Sequence, residues 1–316
     1  MGEGEDSMTT KKMLIVAAGV LGTAAIVLSQ QPPAAAPGGA PPAAGAPGAP
    51  GGPGGRGGRG GGFRQPDPID FSDHAGWTQM FDGSTLNQWD GDFNYWKVEN
   101  GAIVAESTCE KPTGTIYLVW KGGEAADFEM KLEMKGEGAQ INSGVQYRGA
   151  IQPPRPANAQ GGFPGGRGRG PQGPCPSGAA RGTPPSRESQ AKWDMLGAQY
   201  DFDGSNRYTG QFYEQATGRG IIAWRGQVVH TEEGKAPRLL ATLGDRDELG
   251  GYVKINDWNQ LHIIARGNTM THILNGHVMS ILIDDDASKF RKSGIIGFEI
   301  ESVGKIYIRD IWLKRL

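Results

Sequence analysis

From residue 96 onward the chain repeatedly alternates apolar and polar positions, and Gly-containing turns interrupt the alternation at short intervals, a pattern that predicts strands. Trp96-Lys97-Val98-Glu99 and Ala102-Ile103-Val104 flank Asn100-Gly101, a pair whose tolerance of positive φ suits the type I′ hairpin turn. Phe128, Met130, Leu132 and Met134 alternate with Glu129, Lys131, Glu133 and Lys135, so one face of that strand should pack inward while the other meets water or a ligand. Leu261, Ile263 and Ala265 repeat the pattern. Gly267-Asn268 then leads into residues 270–274 and Asn275-Gly276 into residues 277–283, which predicts a three-strand meander. Residues 294–300 and 305–313 read as two further extended segments, joined at residues 302–304. No long stretch spaces its apolar residues at helical intervals. Many strands with tight turns predict an all-β sandwich or jelly roll.

Composition changes this picture only at two places. Of 316 residues, 52 are Gly and 21 Pro, and they concentrate in residues 31–65 and 152–187, where too little apolar surface exists to offset chain entropy. The first stretch reads as a disordered tether and the second as a disordered insert leaving a surface loop. Before the tether, Lys11 and Lys12 precede an apolar run over residues 13–28 that stops at Ser29-Gln30-Gln31, the layout of a secretory signal or membrane anchor. Glu3, Glu5 and Asp6 are out of place in such a leader and point to a start at Met8. The expected organisation is a signal peptide or anchor over 1–30, a tether over 31–66 and a β-sandwich domain over 67–316. The protein is expected to be exported to the periplasm or beyond, with the N-terminal segment as a candidate membrane tether.

A formal net charge of −2, with Arg clustered only in Gly-rich segments such as residues 165–170, gives no electrostatic case for a nucleic-acid partner. The two cysteines, Cys109 and Cys175, could pair in an oxidising compartment or remain two surface thiols; neither has a His at catalytic or metal-ligand spacing.

Several stretches resemble the 3-keto-disaccharide hydrolase domain family. They are Gly76-Trp77-Thr78-Gln79-Met80-Phe81-Asp82-Gly83-Ser84-Thr85-Leu86 with Trp89, then Trp96 to Gly101, Asn142-Ser143-Gly144-Val145-Gln146-Tyr147-Arg148, and the closing residues 306–313. The resemblance implies a concanavalin-like jelly roll of two packed antiparallel sheets. It also implies cleavage of sugars whose C3 hydroxyl has been oxidised to a ketone.

Gly197-Ala198-Gln199-Tyr200-Asp201-Phe202-Asp203 resembles the family's Gly-Tyr-Gln-x-Glu-Ile-Asp strand, with Asp where the family has Glu. On a strand, Gln199, Asp201 and Asp203 share one face, and polar groups on a sheet face are costly to bury without a use. Asp203-Gly204 reads equally as a turn. Tyr208-Thr209-Gly210-Gln211-Phe212-Tyr213-Glu214 and Gly218-Arg219-Gly220 match further family elements. Gly297-Phe298-Glu299-Ile300-Glu301 stands where the family more often has Gly-Leu-Gln-Leu-His, so two carboxylates replace an amide and an imidazole on one face.

A ketone at C3 acidifies the C2 hydrogen, so a carboxylate base and a donor at the C3 oxygen suffice to expel the C1 substituent, after which water adds back. Asp201 is the expected base and Glu299 or Glu301 the second acid/base. Arg148 or Arg219 is the expected enolate stabiliser. Gln199, Asn142 and Tyr213 are expected to bind substrate, and Trp193 and Trp224 lead the sugar-stacking candidates among Trp89, Trp96, Trp120, Trp193 and Trp224. Trp77 and Trp258 read as packing residues. The acids could instead gather one divalent cation, with Asp203 among its ligands, or act as a direct two-carboxylate glycosidase. The same fold also serves non-catalytic carbohydrate-binding modules and structural surface proteins. The Glu-x-Asp-x-x-Glu signature of jelly-roll glucanases is absent.

Overall fold

The period-two segments form the long strands of two sheets. The computed structural model describes residues 66–153, 175 and 180–316; the expected signal segment, nearly all of the tether and most of the insert lie outside the described residues. In chain order the strands are β1 (Thr78–Gln79), β2 (Trp89–Gly91), β3 (Trp96–Glu99), β4 (Ala102–Ser107), β5 (Ile116–Trp120), β6 (Phe128–Glu137), β7 (Asn142–Ile151) and β8 (Met195–Asp203). They continue as β9 (Phe212–Gln215), β10 (Gly220–Ala223), β11 (Gln227–Glu232), β12 (Arg238–Thr242), β13 (Asn259–Arg266), β14 (Thr269–Leu274), β15 (His277–Asp285), β16 (Ile295–Glu301) and β17 (Gly304–Arg315). Two short helices, α1 (Arg187–Gln190) and α2 (Arg246–Gly250), are capped by the side chains of Ser186 and Asp245.

The larger sheet runs β12-β11-β15-β14-β13-β6-β17-β4-β3, with β1 pairing β17, and the smaller runs β10-β9-β8-β7-β16-β5-β2. Both Asn-Gly turns form as expected, with φ of 49° at Asn100 and at Asn275, each followed by a Gly at positive φ. One pairing departs from the antiparallel expectation: β11 lies parallel to β15, from Gln227 opposite Ser280 to Glu232 opposite Asp285. Described residues of the insert are tied to the domain. Gln152 bonds to Asp194 and Met195, and Cys175 is joined to Cys109 in a disulfide that closes a 66-residue separation.

Between the sheets lies the apolar core. Met130, Leu132 and Met134 of β6 and Leu261 and Ile263 of β13 face Val145, Tyr200, Phe298 and Ile300 of the smaller sheet, all fully buried. Trp89, Trp96 and Trp120 belong to this core and so are not sugar platforms; Trp89 stacks on Phe298 with ring centroids 4.9 Å apart. Lys131, which alternation places on the outer face of β6, is nevertheless buried. Its ammonium donates to the carbonyls of Asp70 and Asp73 and lies 4.7 Å from the ring centroid of Trp77, so the segment before β1 covers that part of the larger sheet.

One histidine sits wholly inside the core. His272 of β14 stacks on Phe212 and meets Tyr200 and Tyr147. The Ser280 hydroxyl donates to the carbonyl of Gly210, so it accepts from His272 Nδ1, and Tyr147 Oη donates to Nε2 at 2.7 Å. Burial pushes the imidazole down to about 3. Because the unfolded chain takes up this proton near pH 6.5, the contribution is complete above that pH and declines as pH falls toward 3. By pH 4 the expected loss is about 3 kcal/mol. Urea unfolding of the wild type and His272→Gln from pH 7 to pH 4 checks it: the wild type should lose stability more steeply, by up to one proton in slope. Equal slopes would refute the assignment.

Candidate functional site

Five neighbouring strands of the smaller sheet turn their polar positions outward in register. Across them, Tyr117 of β5 stands opposite Glu299 of β16, Glu299 opposite Gly144 of β7, and Gly144 opposite Asp201 of β8. One step along, Glu301 is opposite Asn142 and Asn142 opposite Asp203; one step back, Gln146 is opposite Gln199, which is opposite Tyr213 of β9. Alternation sends Phe298, Ile300, Val145, Tyr200 and Phe202 into the core and leaves this polar set on the other face.

Asn142, Gln199, Asp201, Tyr213, Gln215, Glu299 and Glu301 line one small hollow of about 310 Å³ counted out to open solvent. Of the residues singled out from the sequence, six therefore converge there. Asp201 and Glu299 are 5% and 2% exposed. Gln199 Nε2 donates to Asp201 Oδ1 at 3.0 Å and to Glu299 Oε2 at 2.6 Å, and its carbonyl oxygen accepts from Gln146 Nε2 at 3.0 Å. Tyr117 Oη donates to Glu299 Oε1 at 3.2 Å, Gln211 Nε2 to Asp201 Oδ2, and Asn142 Nδ2 to Glu301 Oε2 at 3.0 Å.

The acids are electrostatically unequal. Burial, then the charges of Glu301 and Asp201, push the Glu299 carboxyl up to about 8, against the weaker opposing effect of the Gln199 and Tyr117 donors. At neutral pH it is therefore mainly a protonated acid. Asp201 accepts an amide N–H on each oxygen, an arrangement suited to an ionised carboxylate. Burial also raises Tyr117 well above the ordinary phenol, followed by the effect of Glu299, which keeps its hydroxyl a donor.

Five sequence candidates lie elsewhere, and their assignments are corrected here. Arg148 follows β7 into a bulge at φ 46°, where it donates to the carbonyls of Ala126 and Gly267 and pairs with Asp127 at 3.0 Å. Alternation would have put it beside Gln146; the bulge breaks the parity. Arg219 is clamped between Glu214 and Asp284. Trp193 is buried beneath Lys192, and Trp224 is half-buried under Arg246 and Tyr208. Asp203 is a loop anchor: its carboxylate accepts from the backbone N–H of Arg207, Tyr208 and Thr209 and from the hydroxyls of Ser205 and Thr209. That loop closes onto Asp201 through its backbone and delivers Gln211 to the carboxylate. Among the described residues, no group of three or more His, Cys, Asp or Glu is arranged to hold a metal ion.

Gly144, Gln146, Gln211, Gln215 and Tyr117 were not singled out from the sequence. Gly144 and Gln146 follow Asn142 at period two and were open to that inference, whereas Tyr117 sits in the apolar run Ile116-Tyr117-Leu118-Val119-Trp120 and only strand register reveals it.

The fold class is thus a concanavalin-like jelly roll, with a buried acid cluster ringed by amides on the outer face of its smaller sheet. The model of the 3-keto-alpha-glucoside-1,2-lyase-like domain matches residues 76–314, and the chain belongs to that family. Among curated proteins no sequence matches this chain. Similar solved structures include a provisionally assigned glycosyl hydrolase from Parabacteroides distasonis ATCC 8503, 16% identical over 77% of this chain and 94% of that one, with a TM-score of 0.43. The carbohydrate-binding module CBM66 from Bacillus subtilis is 10% identical over 73% of this chain and 98% of that one, with a TM-score of 0.41. A Bacillus licheniformis beta-glucanase is 10% identical over 76% and 98%, with a TM-score of 0.38.

Proposed function

We propose that the protein cleaves glycosides whose sugar carries a ketone at C3, by removing the C2 proton and eliminating the C1 substituent. The observation that carries this reading is the unequal pair in one hollow, Asp201 suited to accept a proton and Glu299 holding one at neutral pH. Asp201 takes the C2 proton, and the electron pair left behind delocalises onto the C3 oxygen. As the enolate collapses, the C1–O bond breaks and Glu299 protonates the departing oxygen. Water adding to the resulting enone at C1 completes a net hydrolysis. Amide and tyrosine donors at the rim, with no arginine facing the hollow among the described residues, are the groups left to hold the C3 oxygen. The hollow is small, which favours a reaction at a ring edge over engulfment of a whole sugar.

The Cys109–Cys175 disulfide supports placement in an oxidising compartment, in keeping with export. Incubating the purified protein with a 3-keto-disaccharide and with its unoxidised parent tests the reaction. Only the keto form should be cleaved, with an ultraviolet-absorbing enone as the intermediate, and Asp201→Asn should lose at least about a hundredfold in kcat. Binding of both sugars without turnover would instead identify a carbohydrate-binding module and overturn the proposal.

A further inference from the structure

We propose that Gln199 is a positioning residue for the acid pair: lying over the bare backbone of Gly144, its amide gives one hydrogen to Asp201 and the other to Glu299 and holds the two carboxyls across a shared bridge. The amide can point only one way. Its oxygen accepts from Gln146 Nε2, and a flipped amide would set that oxygen 3.0 Å from the Asp201 carboxylate, acceptor against acceptor. The cost of this commitment is visible in its neighbours, since the side-chain oxygens of Gln146 and Gln211 are buried without a partner while their nitrogens serve Gln199 and Asp201.

Gly144 makes room for the bridge. It stands between Glu299 and Asp201 in register, on ordinary strand backbone with no positive φ, so glycine is required there for space and not for conformation. A Cβ at this position would stand 2.7 Å from Gln199 Cγ and 2.8 Å from Cδ, well inside van der Waals contact, and closer still to the amide nitrogen. Gln199 must shift to relieve the clash, away from the geometry that makes its three hydrogen bonds. Gly144→Ala therefore displaces Gln199 while leaving both acids in the chain.

The inference rests on the proposed reaction only for what the pair is used for, and its test can be read without turnover. In the full chain, infrared difference spectra from pH 5 to pH 10 should show a protonated-carboxyl carbonyl band that titrates near pH 8 and disappears in Glu299→Gln. An amide donor favours the ionised form, so Gly144→Ala and Gln199→Met should each move the midpoint up by about one unit. If Gly144→Ala fails to fold, as judged by circular dichroism, Gln199→Met alone decides. A wild type without the titrating band, or a Gln199→Met midpoint that stays put or moves down, overturns the bridge. A shifted midpoint in a protein that cleaves no 3-keto-glycoside keeps the bridge and rejects the reaction. Cleavage with an unshifted midpoint does the reverse.

Discussion

Glu299→Gln is expected to lower kcat toward a 3-keto-glycoside by roughly 10²–10⁴ and to abolish the decline of kcat/KM above pH 8. The wild-type decline has a definite sign. Glu299 must hold its proton to deliver it, and burial with the nearby charges of Glu301 and Asp201 keeps that proton on up to about pH 8. Activity should therefore fall as pH rises through that value, while an amide in its place has no proton to lose and its residual rate should stay flat there. Isosteric replacement keeps the packing, and Tyr117, whose hydroxyl now donates to Glu299, can rotate to accept from the substituted amide.

The same substitution should make the fold more stable in alkali. A carboxyl whose folded-state value lies above its unfolded one stabilises the protein fully below the unfolded value, near 4.5, and that contribution is lost as pH rises through about 8. Urea unfolding of the wild type and Glu299→Gln at pH 6 and pH 9 should thus show a gap in favour of the variant that widens at pH 9. Loss of rate with gain of stability is the mark of a group kept for chemistry. A variant that turns over at the wild-type rate, with the same alkaline limb, would remove Glu299 from the reaction.

How much of this was legible in the sequence depends on whether local alternation survives in three dimensions. It does on β8 and β16, where Gln199, Asp201, Glu299 and Glu301 face away from Tyr200, Phe298 and Ile300 as period two requires. It fails on β7 after Tyr147, because a bulge shifts the register and carries Arg148 off the face that Asn142, Gly144 and Gln146 share. Lys131 is legible as an outward position but not as a buried one, since what covers it comes from a segment some 60 residues earlier in the chain. Tyr117 and Gln211 are beyond local reading for another reason. Each meets its acid through pairing or loop closure, and pairing partners are not encoded in the period of a single strand. The Asp at position 201, one methylene shorter than the Glu the family pattern leads one to expect, is met by two amides that come to it.

Arg219→Met is expected to cost about 3–5 kcal/mol of stability at neutral pH, the largest effect foreseen for a residue outside the hollow. The guanidinium joins the two layers: it donates to Glu214 of β9 in the smaller sheet and to Asp284 of β15 in the larger, at 2.9 Å and 2.6–3.0 Å. Both carboxylates are almost wholly buried; besides the guanidinium, Glu214 accepts from the Thr217 hydroxyl, and Asp284 from the Thr231 hydroxyl and the Asp286 backbone N–H. Burial opposes the charge, but the hydrogen bonds the guanidinium donates to both acids outweigh it and hold it protonated. Methionine fills the space but leaves two buried negative charges facing each other, so most of the cost is repulsion and lost solvation, not the net worth of the pair. That account makes a further commitment. Glu214→Gln combined with Asp284→Asn in the Arg219→Met background should recover most of the deficit, which urea unfolding of the single and triple variants at pH 7 measures. If the triple variant is no more stable than the single one, the cost lies in lost packing at the sandwich end, and the buried ion pair is not what clamps the layers.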